Sequence, residues 1–234
     1  MRLDRHRVPE LMDDPALPGP QHRAALAGLA RLNRVARADR LAWPALRRVA
    51  ASAACRGRAV RVVDVACGSG DAVVRLAARA RRAGVAVEWS ACDFSGFALE
   101  EAARAARAAG VPLRTERVDV LAGALPGSHD LVTCSLFLHH LDRPEAVRAL
   151  HAMRCAAASG AIVDLDRTRA GLLLAWMASR ALSRSPVVHF DALASVRAAW
   201  SPDEALAMAR EAGIPDARVR RAWPERWVLE WGAA

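Results

Sequence analysis

The sequence Val62-Val63-Asp64-Val65-Ala66-Cys67-Gly68-Ser69-Gly70-Asp71 joins an apolar run, interrupted by one acid, to a loop of small residues. Small residues let the backbone turn sharply, and glycine reaches positive φ angles without steric cost. A ligand can then approach the main-chain N–H groups where the next helix begins. The stretch therefore predicts the first strand and first turn of an α/β sheet, with Gly68 and Gly70 as the key loop residues.

Two kinds of nucleotide-binding loop were compared with this stretch. A dinucleotide-binding loop follows G-x-G-x-x-G or G-x-G-x-x-A, in which the third small residue lets the helix pack on the strand. The frame that begins at Gly68 places Val73 at this position, which disfavours a nicotinamide or flavin site. The other frame, acid-x-Ala-x-Gly-x-Gly, resembles motif I of class I S-adenosylmethionine-dependent methyltransferases. The usual first glycine of that motif is Ala66 here, which keeps the position small.

Composition narrows the possible partners. The 234 residues, 53% of them hydrophobic, fit one α/β domain with additions. A net charge of +9 would suggest a nucleic-acid partner. However, every basic residue is arginine, and the arginines are dispersed along predicted helices and alternate with acids. We therefore interpret the charge as a solvated surface and expect no nucleic-acid partner.

Missing residue types exclude several mechanisms. Without lysine, the chain cannot form a P-loop, a Schiff base with pyridoxal phosphate or a kinase-type site. The five cysteines form no C-x-x-C pair, which indicates neither a zinc site nor a disulfide framework. We predict no metal, a cytoplasmic location, and small buried hydrophobic roles for Cys67, Cys92 and Cys134 near strand ends. The most apolar segment, Gly171 to Met177, is too short to span a bilayer.

The chain beyond the loop alternates short apolar strands with amphipathic helices. Predicted strands lie at Ala59–Ala66, Val85–Cys92, Leu113–Val118, His129–Ser135, Gly160–Leu165, Arg218–Trp223 and Arg226–Trp231. This order predicts a Rossmann-like α/β fold, with a seven-stranded, mostly parallel sheet, helices on both faces and an antiparallel last strand. An N-terminal arm and helical lid (1–55) would precede a methyltransferase core (56–234). A helix at Gly171–Leu182 and a loop at Ser185–Ala194, containing His189 and Asp191, form an insertion after strand 5.

Acidic residues at strand ends extend the resemblance. Asp93 lies 23 positions after Gly70, where an acid can accept hydrogen bonds from ribose hydroxyls of either a dinucleotide or S-adenosylmethionine. Phe94 can pack on the adenine face or in the core. The resemblance implies that Asp119 contacts the adenine amino group and that the backbone N–H of Val120 contacts a ring nitrogen.

The segment from His129 to Leu141 resembles motif IV of the same family, where an FDLV strand runs into an LHHL segment beside the methyl donor. The complete set of predicted cofactor-binding residues is Asp64, Ala66, Gly68, Gly70, Asp93, Phe94, Asp119, Val120 and Ser135. His139 and His140 are neighbours, so at most one is expected to face the site. With His189 they are the candidate general bases, since a histidine can take the proton of the acceptor at neutral pH. A structural role for each histidine is the alternative.

The resemblance implies methyl transfer from S-adenosylmethionine, whose activated methyl group needs chiefly alignment and exclusion of water. An apolar group formed by Leu172, Leu173, Trp176 and Met177 either walls an acceptor pocket or packs on the sheet. The first reading predicts a hydrophobic small-molecule acceptor, such as a phenolic, polyketide or quinone-like compound, methylated on oxygen. The run 10–15, together with His189 and 195–197, resembles a bacterial methyltransferase subgroup found alongside type III polyketide synthases.

Two other functions stay open at this point. An RNA-binding or RNA-modifying methyltransferase would use the arginine-rich surface and bind RNA with a steep salt dependence. A non-catalytic scaffold would bind S-adenosylmethionine without turnover. The sequence does not fix an oligomeric state.

Overall fold

The computed structural model describes residues 3–13, 17–123, 125 and 127–232. Within them the strands are β1 (Val60–Val65), β2 (Val87–Asp93), β3 (Leu113–Arg117), β4 (His129–Ser135), β5 (Ala157–Leu165), β6 (Arg218–Ala222) and β7 (Arg226–Trp231). They form one sheet in the order β3-β2-β1-β4-β5-β7-β6, with β7 antiparallel to β5 and β6. The predicted Rossmann-like α/β fold is confirmed.

Helices surround this sheet. They are α1 (Gly19–Ala36), α2 (Ala38–Ala54), α3 (Asp71–Arg82), α4 (Gly96–Ala108), α5 (Arg143–Ala156), α6 (Arg169–Leu182), α7 (Pro186–Ala198) and α8 (Pro202–Glu211). Short 3-10 turns occur at Leu11–Asp13 and Leu138–His140. Of the N-terminal run 10–15, residues 14 and 15 lie outside the described residues.

One predicted element is wrong. The segment Ser185–Ala194 was expected to be a loop. In the structure Ser185 is the N-cap of α7, and the helix begins at Pro186. Val187, Val188, Ala194 and Val196 are buried, whereas the apolar side chain of Phe190 lies on the exposed face of the helix with Arg197. Because apolar residues occupy both the buried and the exposed face, the sequence of this helix shows no amphipathic period.

The alternation of side chains along the central strands builds two hydrophobic layers. Val62 of β1 and Leu131 of β4 pack in one cluster with residues of α2 and α3. Val63 and Val132, the next residues along, pack on the opposite face with residues of α5 and α8. Both faces of the parallel strands are therefore covered, as their near-continuous apolar runs require.

The two N-terminal helices have different surroundings. Leu46 of α2 is fully buried in the core cluster that includes β1 and β4, so α2 is part of the layer that covers the sheet. In contrast, Ala25 of α1 packs with Val187 and Val188 of α7. If Gly28 of α1 carried a Cβ, that atom would lie only 2.5 Å from the hydroxyl oxygen of Ser183, so α1 packs closely against this residue. Helix α1 therefore packs with the helices inserted after β5.

The cysteines near strand ends have the predicted environment. Cys67, Cys92 and Cys134 are all buried, and burial raises the pKa of each thiol. Their role as small hydrophobic core residues is confirmed. In the part of the chain that the structure describes, no helix has the length and apolarity needed to cross a membrane.

Candidate active site

The small-residue loop after β1 turns through three positive φ angles, 52° at Ala66, 53° at Gly68 and 78° at Gly70. A left-handed conformation costs a non-glycine residue about 1–2 kcal/mol, so Ala66 is held under strain. A Cβ on Gly70 would lie 3.0 Å from the Cβ of Ala102 in α4, whereas a Cβ on Gly68 would have nothing within 4 Å. Gly70 thus permits close helix packing, while Gly68 leaves open space in front of the loop.

The Asp93 carboxylate at the end of β2 braces this loop. Its Oδ2 accepts a hydrogen bond from the N–H of Gly68, and its Oδ1 accepts one from the N–H of Ser95, each at 2.8 Å. An ionised carboxylate offers about four lone-pair sites, so Asp93 can still accept from a ligand hydroxyl. Its place beside the open side of the loop fits the predicted ribose contact.

Asp64 lies beneath the loop and is only 2% exposed. Its Oδ1 accepts a hydrogen bond of 2.6 Å from the hydroxyl of Thr133 in β4. Burial raises the pKa of Asp64 to about 7; the Thr133 hydrogen bond opposes this rise, and the charge of Asp93 adds to it. Because burial disfavours the ionised carboxylate, a nearby cation would stabilise it. The position suits a ligand that carries positive charge.

The other predicted cofactor residues lie along the same edge of the sheet. Phe94 is 66% exposed, with the guanidinium of Arg117 5.6 Å from its ring centroid. Asp119 accepts a 2.8 Å hydrogen bond from the backbone N–H two residues later. Val120 is buried in the core. Ser135 ends β4 and is half-buried.

A second strained residue follows Ser135. Leu136 has a φ of 58°, and its N–H donates a 2.8 Å hydrogen bond to the carbonyl oxygen of Val163 in β5. Ala66 and Leu136 follow the adjacent strands β1 and β4, and backbone strain of this kind concentrates at functional sites. Leucine carries no sequence signal for positive φ, so Leu136 could not be found from the pattern.

The 3-10 turn after β4 brings His139 and His140 together. Their ring centroids are 4.3 Å apart and the rings are tilted by 32°. One nitrogen of each ring and one oxygen of Glu10 all lie within 4.8 Å of one another. The expectation that the two histidines cannot face the same way is therefore wrong. It assumed the alternation of a strand, but successive side chains in a 3-10 turn differ by only about 120°.

His139 is 2% exposed and lies between two carboxylates. Its Nδ1 is 2.7 Å from Oδ1 of Asp164, and its Nε2 is 3.6 Å from Oε1 of Glu10. Burial alone lowers the pKa of His139, but the charges and hydrogen bonds of Asp164 and Glu10 outweigh burial and raise the pKa to about 10. Burial raises the pKa of Glu10, but the hydrogen bond and charge of His139, the charge of His140 and a hydrogen bond from Ser195 outweigh burial and lower this pKa to about 2. With this pKa, His139 keeps its proton at neutral pH and is a poor general base.

His189, the third candidate base, lies in the first turn of α7. Its Nε2 is 2.8 Å from the carbonyl oxygen of Ser183. A carbonyl only accepts hydrogen bonds, so Nε2 carries the proton. The structure thus uses His189 to fix the connection between α6 and α7, and it does not bring His189 into the group formed by Glu10, His139 and His140.

Residues 3–13, here named the strap, cross over the two histidines. Arg5 donates hydrogen bonds of 2.7 Å to the carbonyl oxygens of Leu141 and Ala198. Its guanidinium also stacks 3.5 Å from the ring centroid of Trp200. Arg7 reaches the carbonyl oxygen of His140. The strap therefore holds the end of β4 against α7.

The same strap joins the two sequence runs that suggested a methyltransferase subgroup. The Asp191 carboxylate in α7 accepts hydrogen bonds from the N–H groups of Leu11 at 2.7 Å and Met12 at 3.1 Å. The Ser195 hydroxyl donates to the Glu10 carboxylate. Glu10 was not among the predicted site residues, because it is 129 residues from His139 in sequence. The shared resemblance of the run 10–15, His189 and the run 195–197 was the available signal.

We expect Arg5→Ala to destabilise the protein by roughly 2–3 kcal/mol, because it leaves carbonyl groups without a charged donor and removes the stack on Trp200. Arg7→Ala is the matched control. Arg7 is exposed and makes fewer contacts, so its loss should cost below about 1 kcal/mol. Urea unfolding of both variants measures the difference, and equal losses would contradict the role assigned to Arg5.

Comparisons with known proteins agree with this geometry. Residues 62–160 match a family model described as a methyltransferase domain. A curated relative, the ubiquinone biosynthesis O-methyltransferase of Ralstonia nicotianae, is 33% identical over 164 residues, which cover 68% of this chain and 65% of that protein. The chain thus spans less than two thirds of the relative's length.

Two solved structures share the fold. The S-adenosylmethionine-dependent methyltransferase SibL, in its apo form, superposes with a TM-score of 0.65 at 19% identity, covering 97% of this chain and 63% of that one. The second structure is an O-methyltransferase from neocarzinostatin biosynthesis, in complex with S-adenosylmethionine and 2-hydroxy-5-methyl naphthoic acid. It superposes with a TM-score of 0.63 at 19% identity, covering 92% of this chain and 59% of that one. The chain therefore contains a methyltransferase domain, at residues 62–160, within the class I S-adenosylmethionine-dependent methyltransferase fold.

Proposed function

We propose that this chain binds S-adenosylmethionine at the loop after β1 and transfers its methyl group to a hydroxyl of a hydrophobic small molecule. The observation that carries the proposal is the open space at Gly68, bordered by the Asp93 carboxylate, in a methyltransferase domain. In an α/β sheet, ligands bind at the carboxyl ends of the strands, where these residues lie.

The residues present fit this cofactor. Asp93 offers acceptor positions for ribose hydroxyls, and Asp119 with the backbone of Val120 follows β3 at the same sheet edge. Asp64 is a buried carboxyl with a pKa raised to about 7, and a sulfonium or ammonium group would compensate its negative charge. When bound, the cofactor supplies an activated methyl group, so the protein must orient the acceptor and keep water away.

Helix α1 is the proposed lid of the cofactor site. The side chain of Asn33, near the end of α1, hydrogen bonds with Asp71, the residue directly after Gly70. This contact supports the proposal that α1 is the lid of the cofactor site. Among the candidate histidines, His140 keeps the proposed role of taking the acceptor's proton, since His139 holds its own proton and His189 donates to a carbonyl.

The proposed acceptor is apolar, such as a phenolic, polyketide or quinone-like molecule. Leu173, Trp176 and Met177 of α6 are 44–56% exposed, so they do not simply pack on the sheet. Their exposed apolar surface is available to a hydrophobic compound. Methylation on oxygen is supported by the curated relative and by the solved neighbour, both O-methyltransferases by name.

We expect S-adenosylmethionine and S-adenosylhomocysteine to raise the melting temperature, and NAD to leave it unchanged. A ligand at about 100 times its dissociation constant adds about 2.7 kcal/mol, or roughly 5–10 °C for a chain of this size. Transfer of radiolabelled methyl to phenolic and quinol acceptors then tests the reaction. A shift with NAD alone would contradict the cofactor, and binding without transfer to any such acceptor would contradict the reaction.

A further inference from the structure

We propose that Glu10, His139 and His140 form a binding site for a divalent transition-metal ion of the zinc class. The sequence predicted no metal, because its cysteines form no C-x-x-C pair. No spacing pattern joins Glu10 to the histidines, which lie about 130 residues further along the chain. The fold brings the three side chains together at the end of β4, where the strap crosses the 3-10 turn.

One pair of donor atoms has the spacing of a metal site. Zinc binds nitrogen and oxygen ligands at about 2.0–2.2 Å in tetrahedral geometry, which separates two ligand atoms by about 3.4 Å. Nε2 of His139 and Oε1 of Glu10 are 3.6 Å apart. The nitrogen of His140 lies within 4.8 Å of both and must move closer to share one ion with them. Zinc would displace the Nε2 proton that His139 holds toward Glu10 in the metal-free protein, so binding releases a proton and should weaken as the pH falls.

The surroundings of the site hold its ligands in place. A histidine that binds a metal through one nitrogen usually donates its other N–H to a carboxylate or carbonyl. Nδ1 of His139 is 2.7 Å from Asp164, which is fully buried and also accepts from the backbone N–H of His139 at 3.1 Å. The hydroxyl of Ser195 donates to the other ligand, Glu10. Two of the three ligands thus have a fixed orientation.

The donor set selects the kind of metal. Two imidazoles and one carboxylate suit zinc and its neighbours, whereas magnesium and calcium prefer oxygen ligands. Three protein ligands leave a fourth position for water or the oxygen of another molecule. If the proposed methyl transfer is correct, an acceptor hydroxyl at this position would be acidified by the metal, which would replace His140 as the group that promotes deprotonation. Metal binding itself does not rest on that function.

The test uses full-length protein stripped of metal with a chelator and then equilibrated with ZnCl2 or MgCl2. We expect one equivalent of bound zinc by elemental analysis, and a rise in melting temperature of roughly 5–10 °C at saturating zinc, with none for magnesium. Cobalt substitution should give visible absorption bands of a low-coordinate site. Glu10→Gln and His140→Gln should each weaken zinc binding at least about tenfold.

A control variant removes a second pair of side chains, on the surface of α5, that could also bind zinc. Sγ of Cys155 and Nε2 of His151 are 3.6 Å apart on α5 and could take up zinc adventitiously. The double variant His151→Gln, Cys155→Ser should keep the zinc equivalent and the thermal shift. Melting of each metal-free variant shows that it folds. Absence of zinc binding to the wild type, binding that survives both Glu10→Gln and His140→Gln, or loss only in the control variant would each overturn the site.

Discussion

Gly68→Val is expected to abolish S-adenosylmethionine binding while the chain remains folded. The Cβ of the new side chain points into open space, which is where we place the cofactor. No protein atom is displaced, so the cost to the fold is the left-handed backbone alone, about 1–2 kcal/mol. The variant should melt roughly 2–8 °C lower than the wild type and show no further rise with cofactor.

Gly57→Val is the matched control for this experiment. Gly57 also has a positive φ, 66°, with nothing within 4 Å of an added Cβ, but it lies in the turn before β1. It should lose similar stability and keep the full thermal shift with S-adenosylmethionine. If the two variants respond alike to the cofactor, the site in front of Gly68 is misplaced.

Asp64→Asn is expected to make the ligand-free protein more stable above pH 7 and to weaken cofactor binding by at least about tenfold, or 1.4 kcal/mol. The folded pKa of Asp64 is raised to about 7 from its ordinary 3.8. Between these values the unfolded chain releases the proton while the folded chain keeps it, so stability falls as pH rises. Asparagine removes this loss, which is on the order of 4 kcal/mol above pH 7, while its side-chain oxygen can still accept from Thr133.

Melting temperatures from pH 4.5 to 8 with and without S-adenosylmethionine test this variant. The stabilisation should shrink as the pH falls toward 4 and vanish below about pH 3, where the carboxyl is protonated in both states. Asp130→Asn is a control in which stability should fall instead of rise. Arg58 holds the pKa of Asp130 at about 2, so removing the Asp130 carboxylate should lower the free energy of unfolding by up to about 1 kcal/mol at neutral pH. A destabilised Asp64→Asn at pH 8 would contradict the assignment.

The local sequence pattern was sufficient to predict a segment's secondary structure where that structure depends on the segment's own residues. The apolar run before Gly68 determined a strand, and the structure has this strand as β1. The α7 helix was missed because apolar residues lie on its exposed face as well as on its buried face, as Phe190 does, so its sequence lacks an amphipathic period. Tertiary surroundings, and not periodicity, define such a helix.

The site was predictable only in part, because some of its contacts depend on tertiary surroundings and not on local sequence pattern. Strand ends converge in any parallel sheet, so Gly68 and Asp93 could be placed together from sequence. The contact of His139 with Glu10 depends on how the strap returns across the completed sheet, and no spacing in the sequence encodes that path. The strain at Leu136 depends on its hydrogen bond to Val163 in the neighbouring strand.

The strap also has a consequence for how the chain is made. Residues 3–13 leave the ribosome long before their partners, which lie at 139–141 and 191–198. During synthesis, the charged groups of Arg5 and Glu10 must therefore stay hydrated until most of the chain has emerged. Contacts this distant in sequence form late, because closing a long loop costs entropy before any contact rewards it. The histidine pair should thus reach its final environment in one of the last steps of folding.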